Sequence, residues 1–389
     1  MARIYVGCFG SGMGHASRTM EVAGALKSAG ADVMLSSSGE AASIIERGGF
    51  GCNHLPPFDV SYTASGEFST KATLLTSPAI LAALLDQTGR EVSNISRFGA
   101  DVVLSDSALS TLAASKLLRL PSFAILNQLS VKDAGGGRSA LSRLLSAGAS
   151  AVMAGLMDLC DGVLLPDLPP PYTVSEMSLW TSRSAKARYI GFLGALGGTE
   201  PDEAARSFAS DKRPKVFWQV SGPPLTRGPL VAKALECASS LSDRYVFVVS
   251  GGDPAASRSA ARIRGGWYYG WCPISGFYFR SCDLVVSRAG HATIGHIIEN
   301  GKPSLVVPIP RQPEQEGNAD KVSRLGIGVK LSQGELTQFA VGEAVDGLIR
   351  GAYAERARRL GEWASNFDAT KEIVKVALEA ASGRGGGAA

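Results

Sequence analysis

The segment Cys282–Pro310, CDLVVSRAGHATIGHIIENGKPSLVVPIP, contains two short apolar runs separated by a glycine-containing loop and an amphipathic stretch. Leu284–Ser287 predicts a buried strand, and the following residues up to about Asn300 predict a helix that Gly301-Lys302-Pro303 ends. Ser304–Val307 then predicts a second buried strand. Short apolar strands that alternate with helices indicate a parallel sheet covered on both faces.

The same alternation runs along the chain in two blocks. The predicted strands of the first block are Arg3–Gly7, Ala31–Leu35, Asp101–Leu104, Ser122–Leu126, Gly162–Leu165 and Ala187–Ile190. Those of the second block are Lys215–Val220, Tyr245–Val249, Trp267–Gly270, Leu284–Ser287, Ser304–Val307 and Gly328–Leu331. The sequence therefore predicts an α/β protein with two doubly wound sheets, in which ligands bind at the carboxyl ends of the strands.

A change in composition separates the two blocks. Residues 194–214 are polar and rich in Gly and Pro, which predicts a linker between an N-terminal domain, 1–193, and a C-terminal domain, 215–352. A long helix is predicted over residues 353–382, and the glycine-rich tail 383–389 is predicted to be disordered.

The composition excludes several classes of protein. Of the 389 residues, 45% are hydrophobic and 19% are charged, which suits two folded cores and not a disordered chain. The formal charge of +4 is too small to predict nucleic-acid binding. The six cysteines have no CxxC spacing, and no apolar run reaches the about 18 residues of a membrane span. We therefore expect a cytoplasmic protein.

A glycine-rich loop, Gly10-Ser11-Gly12-Met13-Gly14, follows the first predicted strand and leads through His15 to Arg18. Its glycines permit a tight turn, and the helix start beyond it suits an anionic or oxyanionic group. A dinucleotide site is disfavoured because the spacing is not GxGxxG and the second strand ends in Ser36-Ser37-Ser38, without an acid for a ribose. His15 is the predicted general base, with a helix-capping histidine as the alternative.

Three further loops follow strands of the second block. Ser221-Gly222 places backbone N–H groups where they can meet a phosphate, although an ordinary turn fits equally well. Arg288-Ala289-Gly290-His291-Ala292-Thr293 predicts a diphosphate site at a helix start, where Arg288 either adds positive charge or pairs with a carboxylate. Pro308–Ala319 predicts a rigid, exposed loop that presents Glu314, Gln315 and Asn318 to a ligand rich in hydroxyl groups.

Three of the four histidines, His15, His291 and His296, lie in these loops or on the helix beside them. The sequence has no HExxH or D-x-D metal motif, no GxSxG nucleophile motif and no P-loop. His291 and His296 are five residues apart and do not share a helix face, so no metal site is expected.

Together, Gly10–His15 and Ser287–Ala319 make the chain resemble the GT-B glycosyltransferases, most closely the MurG-like group of family 28 and its archaeal relatives. The resemblance implies two facing Rossmann-like domains, with the last helix crossing back to the first domain. It also implies an inverting, metal-independent transfer of GlcNAc or a related hexose from a UDP-sugar to a hydroxyl group. No cofactor is expected besides the UDP-sugar substrate.

The resemblance also assigns roles to residues. Gly290, His291, Ala292 and Thr293 would hold the diphosphate, Gln315 and Asn318 would face the sugar hydroxyls, and His15 would deprotonate the acceptor. The turn Tyr269-Gly270-Trp271 would border the base through backbone groups.

One position departs from the pattern of the relatives. They carry a ribose-binding Glu where this chain has His296, with Glu299 about one helical turn later. A histidine cannot replace the two acceptor oxygens of a carboxylate, so the nucleotide preference stays open.

Two apolar segments, Ser61–Leu85 and Arg138–Met157, are the candidate binding regions for the acceptor. Such segments either belong to the core or contact a membrane surface or a polyprenyl-linked acceptor. We expect a nucleotide-sugar donor, a lipid-linked or glycan acceptor and a peripheral location on the inner face of the cell membrane. A UDP-GlcNAc 2-epimerase and a nucleotide-sugar-binding subunit without activity of its own are the alternatives.

Overall fold

The computed structural model describes residues 1–10, 13–57, 70–126, 155, 160–176, 186–194, 196–222 and 224–385. The chain divides into two compact units. Unit 1 comprises Met1–Pro169, Met177–Ala195 and Phe367–Ala389, and unit 2 comprises Pro170–Glu176 and Leu196–Asn366. Among the described residues, we find no helix whose length and apolar character would allow it to cross a lipid bilayer.

Unit 1 contains a seven-stranded sheet in the order β3-β2-β1-β4-β5-β6-β7, and all its neighbouring strands are parallel. The strands are β1 Arg3–Cys8, β2 Asp32–Ser38, β3 Cys52–Leu55, β4 Val102–Asp106, β5 Ser122–Ile125, β6 Gly162–Leu165 and β7 Ala187–Tyr189. The first helices are α1 Met13–Ser28, α2 Gly39–Arg47, α3 Thr70–Phe98 and α4 Leu109–Leu117.

The strands of unit 1 are apolar along their length because helices cover both faces of the sheet. Val6 of β1 lies in one core cluster with Leu26 of α1. Val103 of β4 lies in a second cluster with Ile95 of α3. This two-sided burial explains why the near-continuous apolar runs predicted most of the strands correctly. Only β3, CNHL, was missed, since it lacks such a run.

Unit 2 contains a second seven-stranded sheet in the order β10-β11-β9-β8-β12-β13-β14, which is parallel except for the pair β10 and β11. Its strands are β8 Lys215–Gln219, β9 Val246–Ser250, β10 Ala261–Ile263, β11 Gly266–Tyr269, β12 Leu284–Ser287, β13 Ser304–Val306 and β14 Gly328–Lys330. Its helices are α5 Glu203–Ser210, α6 Pro224–Ser240, α7 Ser275–Ser281, α8 His291–Glu299, α9 Pro313–Arg324, α10 Gln338–Arg350 and α11 Tyr353–Ala364, with a 3-10 turn at Gln333–Glu335. The short β10 was not predicted.

The strand order of unit 2 places a switch point beside β8. β9, the next strand along the chain, lies on one side of β8, and β12 lies on the other. The connections that leave β8 and β12 therefore diverge at the carboxyl edge of the sheet. In parallel sheets of this kind, that crevice is where ligands bind.

The predicted linker, residues 194–214, needs a correction because most of it is folded into unit 2. Asp202 caps α5, since its side chain accepts a hydrogen bond from the backbone N–H of Ala205 at 2.8 Å. Phe208 of α5 is buried and packs edge to face on Tyr278, with ring centroids 5.2 Å apart. The segment is polar in overall composition, but one face of α5 is apolar and packs in the core of unit 2.

The long helix predicted over 353–382 is two helices in the structure. α11 ends at Ala364 in unit 2, and α12, Ala369–Gly385, belongs to unit 1. The break has a local cause, because the Asp368 carboxylate accepts a hydrogen bond from Lys371 N at 2.9 Å and so begins a new helix. Of the tail predicted to be disordered, residues 383–385 continue α12 and residues 386–389 lie outside the described residues.

The proline-rich segment 308–319 is a loop only as far as Gln312, because α9 begins at Pro313. Proline suits the first helical position, and Glu314 and Glu316 in the first turn complement the helix dipole. The predicted sugar-facing residues of this segment therefore lie on a helix and not on an exposed loop.

The predicted acceptor segments are only partly described. Residues 61–69, and all of 138–157 except Gly155, lie outside the described residues. The remainder of the first segment belongs to α3, on which Leu81 and Leu85 are exposed.

Candidate active site

In unit 1, the predicted base His15 meets a carboxylate that comes from a distant part of the chain. β1 and β4 are neighbours in the sheet, with Cys8 opposite Asp106 in register, so the loops after them begin side by side. Nδ1 of His15, in the first turn of α1, lies 2.9 Å from Oδ1 of Asp106. The imidazole packs edge to face on Phe9 and keeps 23% of its side-chain surface exposed.

Asp106 is buried and accepts hydrogen bonds from two more side chains of α1. Nε of Arg18 donates to Oδ2 at 2.6 Å, and Arg18 Nη2 donates to Oδ1. The Thr19 hydroxyl donates to Oδ2 at 3.3 Å. Burial alone would raise the pKa of the Asp106 carboxyl, but the charges and hydrogen bonds of Arg18 and His15 outweigh it and hold that pKa well below its usual range.

A tight turn fixes the direction of Asp106. Ser107, the next residue, has a φ of 57°, a left-handed conformation that is uncommon for a residue with a side chain. The Ser105 hydroxyl donates to the Ala108 carbonyl at 2.8 Å and accepts from the Ala108 N–H at 3.1 Å. The carboxylate is therefore held in place before any ligand binds.

Asp106 was missed by the sequence reasoning. The available signal was an aspartate at the end of a fully buried strand, VVLSD, because the carboxyl edge is where functional side chains collect. Nothing in the sequence, however, identified β4 as the neighbour of β1.

The glycine loop before α1 is described in part. A Cβ at Gly10 would lie 2.0 Å from the Ser38 Oγ, so only glycine fits there. A Cβ at Gly14 would meet no atom within 4 Å, which leaves open space over the first turn of α1. Met13 begins α1, whereas Ser11 and Gly12 lie outside the described residues. Arg18, which the sequence grouped with this acceptor-side loop, is buried against Asp106.

In unit 2, the start of α8 is open at the carboxyl edge of the sheet. Gly290 is the N-cap residue, no side chain caps the helix, and a Cβ at Gly290 would meet no atom within 4 Å. The first N–H groups of any helix lack partners within that helix, so this end suits an anion. His291 is buried, whereas Ala292 and Thr293 are half-buried.

The loop after β8 lies across the switch point from α8. Ser221 is half-buried, and Gly222 has a φ of 111°, which favours glycine. Pro223 lies outside the described residues. Both loops expected to meet the diphosphate thus begin at neighbouring strands of one sheet.

Arg288 is fully buried at the end of β12 and does not pair with a carboxylate among the described residues. Its Nη2 donates to the Thr226 carbonyl at 2.8 Å, and its Nη1 donates to Gln333 Oε1 at 2.8 Å and to two carbonyls at the end of β13. Burial lowers the pKa of this guanidinium to about 10. Of the two readings left open by the sequence, added positive charge fits and ion pairing does not.

The two amide side chains of α9 that are predicted to bind the sugar each use one polar atom in a hydrogen bond to the backbone. Gln315 Oε1 accepts a hydrogen bond from Ile309 N at 2.8 Å, and Asn318 Nδ2 donates to the Ala289 carbonyl at 3.1 Å. Both side chains are buried, and Glu314 is half-buried. The hydrogen bond of Gln315 joins α9 to the loop after β13, and that of Asn318 joins α9 to the loop after β12. The second polar atom of each amide, Gln315 Nε2 or Asn318 Oδ1, is not used in these two bonds.

The turn after β11 is anchored within unit 2. Tyr269 is buried, and its hydroxyl donates to Asp202 Oδ2 at 2.6 Å, so its side chain belongs to the core. The Gly270 carbonyl accepts from Asp253 N at 3.0 Å, and Trp271 N donates to the Ser257 carbonyl at 3.0 Å. The half-buried Trp271 indole is the side chain of this turn closest to solvent.

His296 lies in the middle of α8 against the Phe279 ring, with centroids 5.6 Å apart. Its buried Nδ1 makes no hydrogen bond, and the nearest carboxylate recorded for it is Glu299, at 3.5 Å. In the described part of the chain, no group of three His, Cys, Asp or Glu side chains is arranged to hold a metal ion.

Two glycosyltransferase domain families match this chain. Residues 2–162 match Glycosyl transferase family 1, and residues 235–371 match the Glycosyltransferase family 28 C-terminal domain. The first match includes His15 and Asp106, and the second includes α8 and α9.

Relatives resemble the chain over its whole length or over part of it. The "Uncharacterized glycosyltransferase" of Methanosarcina mazei is 25% identical over 98% of this chain and 99% of its own. The UDP-N-acetylglucosamine--N-acetylmuramyl-(pentapeptide) pyrophosphoryl-undecaprenol N-acetylglucosamine transferase of Desulfitobacterium hafniense is 35% identical over 25% of this chain and 28% of its own.

Among solved structures, the Streptomyces sp. SF2575 glycosyltransferase SsfS6 in complex with thymidine diphosphate is 20% identical. The alignment covers 97% of this chain and 100% of that one, with a TM-score of 0.64. This likeness shows that the two chains share a fold.

Proposed function

The chain is a glycosyltransferase of the GT-B fold, and from that premise we propose that it transfers GlcNAc or a related hexose from a UDP-sugar to a hydroxyl group. The observation that carries the proposal is the pairing of His15 with the buried Asp106 at the carboxyl edge of the unit 1 sheet. A partly exposed imidazole backed by a carboxylate is suited to take a proton from an acceptor hydroxyl. The activity named for the D. hafniense relative supports UDP and GlcNAc.

In the proposed reaction, the acceptor oxygen attacks the anomeric carbon while its proton moves to Nε2 of His15. The bond between the anomeric carbon and the diphosphate oxygen breaks, and its electron pair leaves with the diphosphate. This single displacement inverts the anomeric configuration. Asp106 accepts the hydrogen bond from Nδ1 and stabilises the imidazolium that forms.

The donor is proposed to bind at the carboxyl edge of unit 2. The N–H groups at the start of α8, from Gly290 to Thr293, and the Ser221-Gly222 loop would hold the diphosphate. These groups would stabilise the charge that develops on the leaving group, so the proposal requires no metal. Gln315 Nε2, Asn318 Oδ1 and Glu314 would meet the sugar hydroxyls.

The nucleoside is proposed to lie between the turn after β11 and α8. Gly270 and Trp271 would border the base, and His296 would lie near the ribose. The Nδ1 of His296 is buried, so its Nε2 is the atom left to meet a ribose hydroxyl.

The acceptor is proposed to be lipid-linked or a glycan, and a lipid-linked acceptor would be reached at the membrane surface. The relative from D. hafniense is named for a pyrophosphoryl-undecaprenol substrate, which supports this class. Release of UDP that depends on a polyprenyl diphosphate sugar in vesicles would test the class, with a soluble oligosaccharide as the comparison.

A thermal-shift experiment with UDP, GDP, dTDP and ADP sugars in EDTA tests the donor. We expect selective stabilisation by the UDP-sugar, because a ligand at 100 times its Kd adds about 2.7 kcal/mol to the stability of the protein that binds it. Selective stabilisation by another nucleotide sugar, or a requirement for Mg²⁺, would overturn the corresponding part of the proposal. Conversion of UDP-GlcNAc to its 2-epimer without acceptor would favour an epimerase instead.

A further inference from the structure

Arg288 is unusual because it is a fully buried charge whose hydrogen-bond partners among the described residues are all neutral. Its 0% exposed guanidinium donates to the carbonyls of Thr226, Val307 and Pro308 and to the side-chain oxygen of Gln333. Its Nε is buried and makes no hydrogen bond. Among the described residues, none of the groups that accept a hydrogen bond from it is an Asp or Glu carboxylate.

The charge of Arg288 persists at neutral pH. Burial lowers the pKa of the guanidinium to about 10, which is still well above neutrality. Its neutral acceptors satisfy hydrogen bonds but cancel no net charge. A buried ion without a counter-ion is costly for the folded protein, and its field is weakly screened by the surrounding low-dielectric interior.

The position of Arg288 determines where that field acts. The residue directly follows β12 at the switch point of unit 2, two residues before Gly290, the N-cap of α8. Its acceptors come from the start of α6, from the end of β13 and from the Gln333–Glu335 turn, so it also holds these loops around the carboxyl edge. Because it has no exposed surface, it cannot itself contact a ligand in this conformation.

We infer that Arg288 is the counter-charge for the donor diphosphate and that it acts from beneath the start of α8 without touching the ligand. Gln333 must be neutral so that the charge of Arg288 stays uncompensated in the ligand-free protein. The inference rests on the proposed function, since it assigns how the same site attracts its anion. The positive charge of a guanidinium that is held only by neutral acceptors can be compensated by a bound anion. The charge of a guanidinium that already pairs with a carboxylate is compensated before the anion binds.

The decisive variant is Gln333→Glu, which places a carboxylate on the atom position that already accepts from Arg288. We expect the unfolding temperature of the ligand-free protein to rise, because the buried cation gains a partner. We expect the Kd for UDP to increase about tenfold by isothermal titration calorimetry, since a tenfold change corresponds to about 1.4 kcal/mol. Opposite changes in stability and affinity are not expected from a merely structural clamp.

Two ligands and two variants complete the test. In Gln333→Glu, the affinity for inorganic pyrophosphate should fall together with the affinity for UDP. The affinity for uridine, which has no phosphate, should not change. Gln338→Glu adds the same charge at an exposed position of α10, and any effect it has on UDP affinity should vanish at high salt, while that of Gln333→Glu should persist. Gln333→Leu should lower stability but change UDP affinity little.

The outcomes separate this inference from the proposed function. Failure of the wild-type chain to bind UDP would overturn the proposed donor. Wild-type binding of UDP with an unchanged Kd in Gln333→Glu would overturn the role of Arg288 alone. A weaker affinity without a rise in unfolding temperature would also overturn it, because the new carboxylate would then repel the ligand directly and leave Arg288 unpaired.

Discussion

Asp106 organises the polar side chains at the carboxyl edge of unit 1. Arg18 occupies one side of the carboxylate with two nitrogens, and His15 shares Oδ1. Nδ1 of His15 therefore has an acceptor, Asp106 Oδ1, at 2.9 Å and a donor, Arg18 Nη2, at 2.8 Å. Only the tautomer with its proton on Nδ1 leaves Nε2 free to act as a base.

The first prediction concerns His15. In His15→Ala, kcat should fall by about 10²-fold or more, because no other group on this loop can accept the acceptor's proton. UDP affinity should be unchanged, since the proposed donor site lies in unit 2. Steady-state UDP release and calorimetric titration measure the two quantities, and a near-wild-type kcat would contradict the role of His15 as the base.

The second prediction concerns Asp106 and acid. Because the pKa of Asp106 is lowered in the folded protein, its ionised form contributes stability that is present above the unfolded value of about 4 and is lost as pH falls towards the folded pKa. Asp106→Asn removes the negative charge with which the buried Arg18 pairs, which should destabilise unit 1 by about 3–5 kcal/mol at pH 7.

Urea unfolding of wild type and Asp106→Asn at pH 7, 5, 4 and 3 measures this effect. The difference between the two proteins should shrink below about pH 4, because the carboxyl of the unfolded wild-type chain becomes protonated there while that of the folded chain stays ionised. Asp86→Asn is the matched control, because Asp86 is half-exposed and pairs with Arg90 on the surface of α3. A difference that stays constant down to pH 3 would contradict the prediction.

At the scale of secondary-structure elements, Glu91 of α3 joins four elements of unit 1. The carboxyl accepts hydrogen bonds from Tyr5 of β1, Ser36 of β2 and Thr111 of α4, at 2.5, 2.7 and 2.5 Å. Burial raises the pKa of Glu91, although the hydrogen bonds from Thr111, Tyr5 and Ser36 act in the opposite direction. The side chain thus connects α3 and α4 to the sheet through one polar centre.

The third prediction follows from that raised pKa. A carboxyl whose folded pKa is raised favours the folded state most at low pH, and this contribution is lost as pH rises from the unfolded value of about 4.3 to the folded pKa. Glu91→Gln keeps the shape, and the three hydroxyl groups can reorient to bond the amide. The stability of Glu91→Gln relative to wild type should therefore increase from pH 5 to pH 9.

Thermal unfolding across that pH range measures the relative stability of Glu91→Gln. Glu91→Leu provides the contrast, because it leaves three buried hydroxyl groups without a partner and should lose about 3 kcal/mol or more. A pH-independent difference between wild type and Glu91→Gln would show that Glu91 does not titrate in this range.

For the whole molecule, the chain contributes its last helix to the unit that contains its first strand. Ile373 and Ala377 of α12 lie in the core cluster that contains Val22 of α1. The Thr370 hydroxyl donates to Glu21 at 2.6 Å, and the same carboxylate accepts from Gly194 N at 2.9 Å. Unit 1 is therefore completed only when residues 367–385 have been added to it.

The fourth prediction tests this division of the chain. Ile373→Ala should destabilise unit 1 by about 2–5 kcal/mol, because it leaves a cavity in the core. UDP affinity should not change, since unit 2 consists of Pro170–Glu176 and Leu196–Asn366 and does not include α12. Lys375→Ala, at an exposed position of the same helix, is the control for stability. A loss of UDP affinity in folded Ile373→Ala would contradict the independence of the donor site from unit 1.

The sequence by itself determined the fold class, most strands and the glycine-containing loops at the carboxyl edges of the two sheets. Buried parallel strands must be apolar along their length, and helix starts carry recognisable glycines, so both signals are local. His15 and the segment Arg288–Thr293 were singled out for this reason, and their roles stay predictions. The linker and the last helix were misjudged because composition cannot show which core an apolar face will join.

Only the tertiary structure decided which residues meet. Asp106 reaches His15 across 91 positions because β4 lies beside β1, and no local pattern encodes that neighbour. The same holds for Arg288, whose charge stays uncompensated because Gln333, 45 positions away, is its side-chain partner. Periodicity is fixed by adjacent residues, whereas the charge, burial and hydrogen bonding of a site depend on strand order, which the whole chain sets as it folds.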